Sequence, residues 1–210
     1  MSLVLFTCMV GLIVAPNNVS YLNSVLSLIA VAFGAGAAGT LNMWYESDLD
    51  ALMTRTCLRP IPTGQVTKNQ ALFFGILLSI GSISLLFFSS NFMSASLLLL
   101  TICFYFFIYT VWLKRRTPQN IVIGGAAGAL PPVIGWTIAT GSLSVEPLIL
   151  FLIIFLWTPS HFWALSIYKS NDYKKAKIPM LPIIYGIDKT KKNIFIYSLL
   201  MLPTISTPYF

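Results

Sequence analysis

Three of the six carboxylates in this chain fall within five residues: Glu46, Asp48 and Asp50. Asn42 precedes Glu46 by four positions and Asp50 follows it by four. If a helix runs through them, Asn42, Glu46 and Asp50 share one face, drifting about 40° per step at 3.6 residues per turn. Three oxygen-bearing side chains on one face suit a hard divalent cation. Mg²⁺ takes oxygen ligands, keeps several waters and is commonly shared with substrate phosphates. Asp48 lies off that face. Arg55 and Arg59 follow directly, in Arg55-Thr56-Cys57-Leu58-Arg59-Pro60-Ile61-Pro62. Their guanidinium forks can pair bidentately with phosphate oxygens. Carboxylates followed by arginines therefore suit a diphosphate. The bland alternative is a solvated helix end whose acids and bases pair with one another.

A second acidic position, Asp172, lies in Tyr168-Lys169-Ser170-Asn171-Asp172-Tyr173-Lys174-Lys175-Ala176-Lys177-Ile178-Pro179. Two acidic sites facing one cavity could hold a diphosphate between metal ions; equally, Asp172 could pair with Lys169 or Lys174. His161 is the single histidine. Imidazole can ligate haem iron, or it can make an interhelical hydrogen bond. Cys8, Cys57 and Cys103 have no CxxC spacing, which argues against both a disulfide framework and a zinc site.

The elements that hold these groups follow from composition. The chain has 210 residues, 57% hydrophobic and 9% charged, with a mean hydropathy of +0.82. A soluble domain is about a quarter charged, and disorder needs low hydrophobicity. What remains is an all-α, polytopic membrane bundle. Uncharged apolar runs occupy Ser2–Ala15, Tyr21–Trp44, Ala71–Ser90, Ser94–Leu113, Ile121–Thr140, Pro147–Tyr168 and Asn193–Phe210. The first is shorter than the roughly 20 residues a span needs. It lacks the basic start and the cleavage site of a signal peptide, so a transmembrane helix is expected. The last runs to the final residue. Both ends are expected to be truncated, within one domain over 1–210.

The net charge of +7 is a topology signal. All 13 Lys and Arg lie in the loops after runs two, four and six. This is the positive-inside pattern, so those loops and the N-terminus face the cytoplasm and no nucleic-acid partner is needed. Gly36-Ala37-Ala38-Gly39 and Gly125-Ala126-Ala127-Gly128 echo each other. Such small residues let helices approach closely in lipid. Pro131-Pro132 is expected to kink or break its span.

The string Asn42-Met43-Trp44-Tyr45-Glu46-Ser47-Asp48-Leu49-Asp50, with Arg55-Thr56 and Arg59-Pro60-Ile61-Pro62, resembles the first acidic motif of the UbiA superfamily of intramembrane prenyltransferases. Three further stretches resemble its heme O synthase branch (the protoheme IX farnesyltransferases) more narrowly. They are Lys114-Arg115-Arg116-Thr117-Pro118-Gln119-Asn120 with the segment up to Gly128, then Trp157-Thr158-Pro159-Ser160-His161-Phe162-Trp163, then Asp172-Tyr173 with Ile178-Pro179-Met180-Leu181-Pro182. The family's first motif usually carries Asp where this chain has Glu46, and members commonly have about nine helices where this chain shows about seven.

The resemblance implies that farnesyl diphosphate, protoheme IX and water give heme O and diphosphate. It implies Mg²⁺ held by Asn42, Glu46, Asp48, Asp50 and Asp172, with Asp48 the member off the common face. The diphosphate would be held by Arg55, Arg59, Lys114, Arg115 and Arg116. Tyr45, Tyr105, Tyr109 and Trp163 would line a pocket for the farnesyl cation, or else anchor the chain at the lipid interface. His161 would contact the heme. The implied setting is a bacterial inner membrane, or a mitochondrial one, with the acidic motifs on the cytoplasmic or matrix side. Self-association, or contact with heme A synthase or oxidase assembly, is a further implied partnership. Rival readings are a superfamily member acting on a quinone precursor or chlorophyllide, and a non-enzymatic transport or assembly subunit. A transporter needs ionisable groups along a path across the membrane, whereas here they cluster at one side.

Overall fold

The computed structural model describes residues 1–207, which form helices joined by turns and loops, without strands. The elements are α1 (Ser2–Val14), α2 (Tyr21–Tyr45), α3 (Ser47–Asp50), α4 (Lys68–Ser89), α5 (Phe92–Cys103), a π-helical continuation of α5 (Phe104–Leu113), α6 (Asn120–Ala129), α7 (Pro131–Thr140), α8 (Val145–Tyr168), α9 (Ser170–Lys175), α10 (Leu181–Ile184) and α11 (Ile187–Ser206). Among the described residues five spans are long and apolar enough to cross a membrane: α2, α4, α5 with its continuation, α6 with α7, and α8. α1 is a shorter apolar helix. α11 corresponds to the seventh run, whose last three residues, 208–210, lie outside the described residues.

Residue chemistry sets the helix ends. The Ser20 hydroxyl accepts the Asn23 amide at the start of α2, and Thr67 with Gln70 forms a reciprocal capping box on α4. Both satisfy amides that a helix start leaves without partners. Asn91 opens α5 by accepting from the Ser94 amide at 2.9 Å, while its own amide donates to the Thr137 carbonyl at 2.7 Å. One side chain thus ties the α4–α5 turn to the end of α7. Gly141, at φ +71°, ends α7 in the left-handed conformation that favours glycine.

The span at 120–140 breaks at Leu130, as Pro131-Pro132 predicts, and Pro131 takes the first helical position, where a missing N–H costs nothing. α2 also breaks, at Glu46. The Glu46 amide nevertheless bonds to the Asn42 carbonyl at 2.9 Å, and the Asp50 amide to the Glu46 carbonyl at 2.8 Å. The four-residue register therefore passes through the break, so Asn42, Glu46 and Asp50 keep a common face.

α2 packs along α4, α1 along α7, and α8 against α6 and α11. Glycine makes the α1–α7 crossing possible. A Cβ on Gly11 would stand 2.0 Å from the Pro132 carbonyl oxygen, and one on Gly135 would stand 1.9 Å from that of Cys8. The two repeated Gly-Ala-Ala-Gly stretches behave differently from the close-packing expectation. Gly36 and Gly125 have close neighbours, but a Cβ on Gly39 or Gly128 would meet nothing within 4 Å. Large apolar side chains such as Phe73, Phe74, Leu77 and Ile80 are exposed on α4, as suits a lipid-facing helix.

Candidate functional site

One cavity of about 580 Å³ reaches from the basic-loop side of the bundle into its interior. That size is within the usual range of ligand pockets. Asn42, Glu46, Asp50, Arg55, Arg59 and Lys114 line its polar end. Tyr105 and Tyr109 come from the π-helical segment, Gly124, Gly125 and Gly128 from α6, and Ile154, Trp157, Thr158 and Phe162 from α8. Leu3, Val4 and Thr7 of α1 add to the apolar wall, and Tyr173 of α9 with Ile178 and Met180 of the segment after it completes the lining.

The polar end is a compact charge array. Glu46 is 1% exposed. Its Oε2 accepts from the Lys114 ammonium and, at 2.7 Å, from the Asn42 amide. Its Oε1 is buried with no hydrogen-bond partner. Asp50 is also buried, and its Oδ2 accepts from Arg59 Nη1 at 2.8 Å. Thr56 donates to the Asp50 carbonyl at 3.0 Å, folding the loop back under α3. Arg55 lines the cavity from the exposed loop. Three cationic groups against two carboxylates leave this end net positive, and an anion with several oxygens would complete it.

The set also fits Mg²⁺. No group of three His, Cys, Asp or Glu able to hold a metal occurs among the described residues. Two carboxylates and one amide do face the same cavity, and Glu46 Oε1 is an oxygen donor without a partner. Mg²⁺ is typically bound by one or two carboxylates and completed by substrate phosphates and water.

Other residues singled out by sequence lie elsewhere. Asp48 is exposed on the far side of α3, where Arg115 grips it bidentately at 3.0 and 3.1 Å. Partial burial works to raise the Asp48 carboxyl, but the hydrogen bonds and charge of Arg115 outweigh it and hold it below its ordinary value. Arg115 is raised in return, chiefly by its hydrogen bond to Asp48. Arg115 also lies 5.3 Å from the centre of the Tyr45 ring. This surface cluster is spent on itself, because a position two residues from Glu46 turns away from the Glu46 face. Arg116 is exposed and does not line the cavity.

Asp172 is buried beside the cavity rather than in its wall, and Thr54 donates to its Oδ2 at 2.6 Å. That bond spans 118 positions and joins the two acidic loops. Trp163 is fully buried against Tyr197, at 5.2 Å and 90°, in the cluster under α9 and α10. It therefore cannot line a cation pocket in the cavity, and neither does Tyr45. His161 is exposed and does not itself line the cavity, but it stacks at 4.4 Å on Trp157, which does.

Residues 4–210 match the profile of the UbiA prenyltransferase family. The chain belongs to that family. A protoheme IX farnesyltransferase of Pelagibacter ubique is 70% identical over 209 residues, which is 100% of this chain and 69% of that protein. One from Ehrlichia ruminantium is 55% identical over 208 residues, 99% of this chain and 70% of the relative. Solved UbiA structures share the fold. A UbiA homolog from Archaeoglobus fulgidus bound to DMAPP and Mg²⁺ superposes with a TM-score of 0.79 at 19% identity, covering 96% of this chain and 72% of that one. A digeranylgeranylglyceryl phosphate synthase gives 0.80 at 21%, covering 98% and 72%. The chain is an integral membrane protein with the UbiA all-α fold.

Several residues in or beside the cavity wall carry no charge and have no signal in the sequence. Thr110 is fully buried and accepts from the Asn42 amide at 3.2 Å. Gly124 allows the Tyr109 ring to lie against α6, since a Cβ there would stand 2.2 Å from that ring. Gly128 borders open cavity space. The glycine-rich run in α6 is the one sequence feature that points here, and by itself it suits close helix packing equally well.

Proposed function

We propose that this chain transfers the farnesyl group of farnesyl diphosphate to a vinyl group of protoheme IX, giving heme O and diphosphate. One observation carries the reading: a charged end suited to a diphosphate opens into an apolar cavity within the same wall. The protoheme IX farnesyltransferases similar over the whole chain support the choice of acceptor. A quinone-precursor or chlorophyllide acceptor has no comparable support.

The chemistry divides between the two ends. Arg55, Arg59 and Lys114 bind the diphosphate oxygens. Asn42, Glu46 and Asp50 would hold Mg²⁺, which supplies positive charge toward the leaving diphosphate. As the allylic C–O bond breaks, both electrons leave with the diphosphate, and these fixed cations stabilise the charge that develops there. Tyr105 and Tyr109, with ring centres 5.3 Å apart, both line the cavity, where aromatic rings can stabilise the electron-deficient farnesyl carbon. The apolar wall excludes water until the vinyl group forms the new C–C bond. Water then adds to the resulting cation and loses a proton, which completes the hydroxyl of heme O.

Asp172 tethers the second loop through Thr54, and we assign it a supporting metal-site role at one remove from the cavity wall. The positive-inside pattern of the loops supports a cytoplasmic-side site in a bacterial inner membrane, or a matrix-side one in an organelle. Asp50→Asn tests the site: turnover is expected to vanish while the fold is kept. A wild-type rate in that variant would refute the assignment of Asp50 to the reacting end.

A further inference from the structure

We propose that Thr110 is a positioning residue that aims the Asn42 carbonyl oxygen into the cavity. The proposal deepens the cation-binding reading of that cavity and rests on it. Thr110 lies inside the π-helical segment and has no exposed surface. Its hydroxyl donates to the Tyr105 carbonyl, five residues back, at 3.0 Å. That bond uses its only proton, so toward Asn42 its oxygen can only accept. It does so from Asn42 Nδ2 at 3.2 Å. The second proton of the same amide goes to Glu46 Oε2 at 2.7 Å. Both amide protons are therefore spent on two acceptors, on different helices, that tolerate nothing but a donor.

The consequence falls on the other end of the amide. An Asn side chain can be turned over with little change in shape, and only its hydrogen-bond partners decide which end faces where. Here two acceptors make the same choice. Asn42 Oδ1 accepts no hydrogen bond among the described residues, and Asn42 lines the cavity. The amide thus offers an oxygen, not an N–H, where a cation is to be held. The five-residue register matters because it brings the Thr110 hydroxyl onto the Tyr105 carbonyl. π-Helical turns are frequent at functional sites.

Partners that orient metal ligands typically matter about 10- to 100-fold in metal affinity. The test measures Mn²⁺ binding by electron paramagnetic resonance, with inorganic diphosphate present, on the full chain in lipid nanodiscs. Thr110→Val keeps the shape and removes the hydroxyl. It is expected to weaken Mn²⁺ binding by about tenfold or more, whereas Thr110→Ser, which keeps the hydroxyl and loses the methyl, stays close to wild type. Equal binding by wild type and Thr110→Val would overturn the proposal. So would the reverse ordering, with the serine variant weak and the valine variant intact, because packing would then be the cause. Absence of Mn²⁺ binding by the wild-type protein would instead overturn the cation-site reading on which the proposal stands.

Discussion

Removing Lys114 exposes the energetics of the polar end. The Lys114 side chain is 16% exposed and that of Glu46 is 1% exposed, so the pair is largely out of water. Lys114→Met removes the cation paired with the Glu46 carboxylate and leaves a buried charge whose Oε1 already has no partner among the described residues. Breaking a buried pair from one side costs about 3–5 kcal/mol. Asn42 still donates to Glu46, and Lys114 reaches solvent at one end, so the lower figure applies: about 3 kcal/mol. For a chain of this size that lowers Tm by roughly 6–12 °C. The double variant Glu46→Gln/Lys114→Met replaces the pair by neutral groups of similar shape and is expected to regain most of the loss. It should stay inactive, since both a carboxylate and a phosphate-binding cation are gone. Thermal unfolding in detergent, followed by intrinsic fluorescence, reads all three proteins. A Lys114→Met melting point within about 2 °C of wild type, or a double variant no better than the single one, would refute this account of the pair.

Further expectations follow from the same geometry. Gly11→Ala and Gly135→Ala each drive a Cβ into backbone across the α1–α7 crossing, so each should destabilise by about 1–3 kcal/mol. Gly39→Ala meets open space and should melt at or slightly above wild type. Gly124→Ala displaces the Tyr109 ring from α6, so steady-state kinetics should show lower kcat with the fold intact. The Asp48–Arg115 pair is exposed, so Asp48→Asn should cost no more than about 1 kcal/mol. Because the folded Asp48 carboxyl is lowered, that contribution is complete above the ordinary carboxylate value of about 3.9 and is lost only as pH falls through the lower folded value. Stability from this pair should therefore be flat from about pH 5 upward, which melting curves across pH would check. His161→Ala should leave the absorption spectrum of added protoheme IX unchanged, because Trp157 rather than His161 lines the cavity there. A spectral change would bring His161 to the iron.

Some of this architecture can be read directly from residue types. The alternation of basic loops with loops free of Lys and Arg is the pattern from which we propose the topology, because charge placement in membranes follows a simple rule. Asn42, Glu46 and Asp50 stand out because oxygen-bearing side chains at four-residue spacing, two of them rare acids, need only a continuous helix to share a face. Pro131 announces its own break. Other features depend on facts that spacing does not carry. Asp48 looks like a fourth ligand until its rotation about α3 and the reach of Arg115, 67 positions away, are known. Helices that are apolar all round carry no periodic face, so Trp163 and Tyr45 could not be told apart from Tyr105 and Tyr109. Thr110 is an uncharged residue in an aromatic run, and its role appears only once the π-helical register aligns it with Tyr105 and Asn42. The asymmetry between Gly39 and Gly128, one on the bundle surface and one at a cavity, is likewise a property of the packed helices.

The most direct test of the central claim is product analysis by mass spectrometry. Membranes containing the full chain would be supplied with farnesyl diphosphate, Mg²⁺ and protoheme IX, with a quinone precursor offered in parallel. The account predicts heme O, formed only when farnesyl diphosphate and protoheme IX are both present and lost in Asp50→Asn. A folded protein that leaves protoheme IX unmodified, or that prenylates the quinone precursor instead, would contradict it.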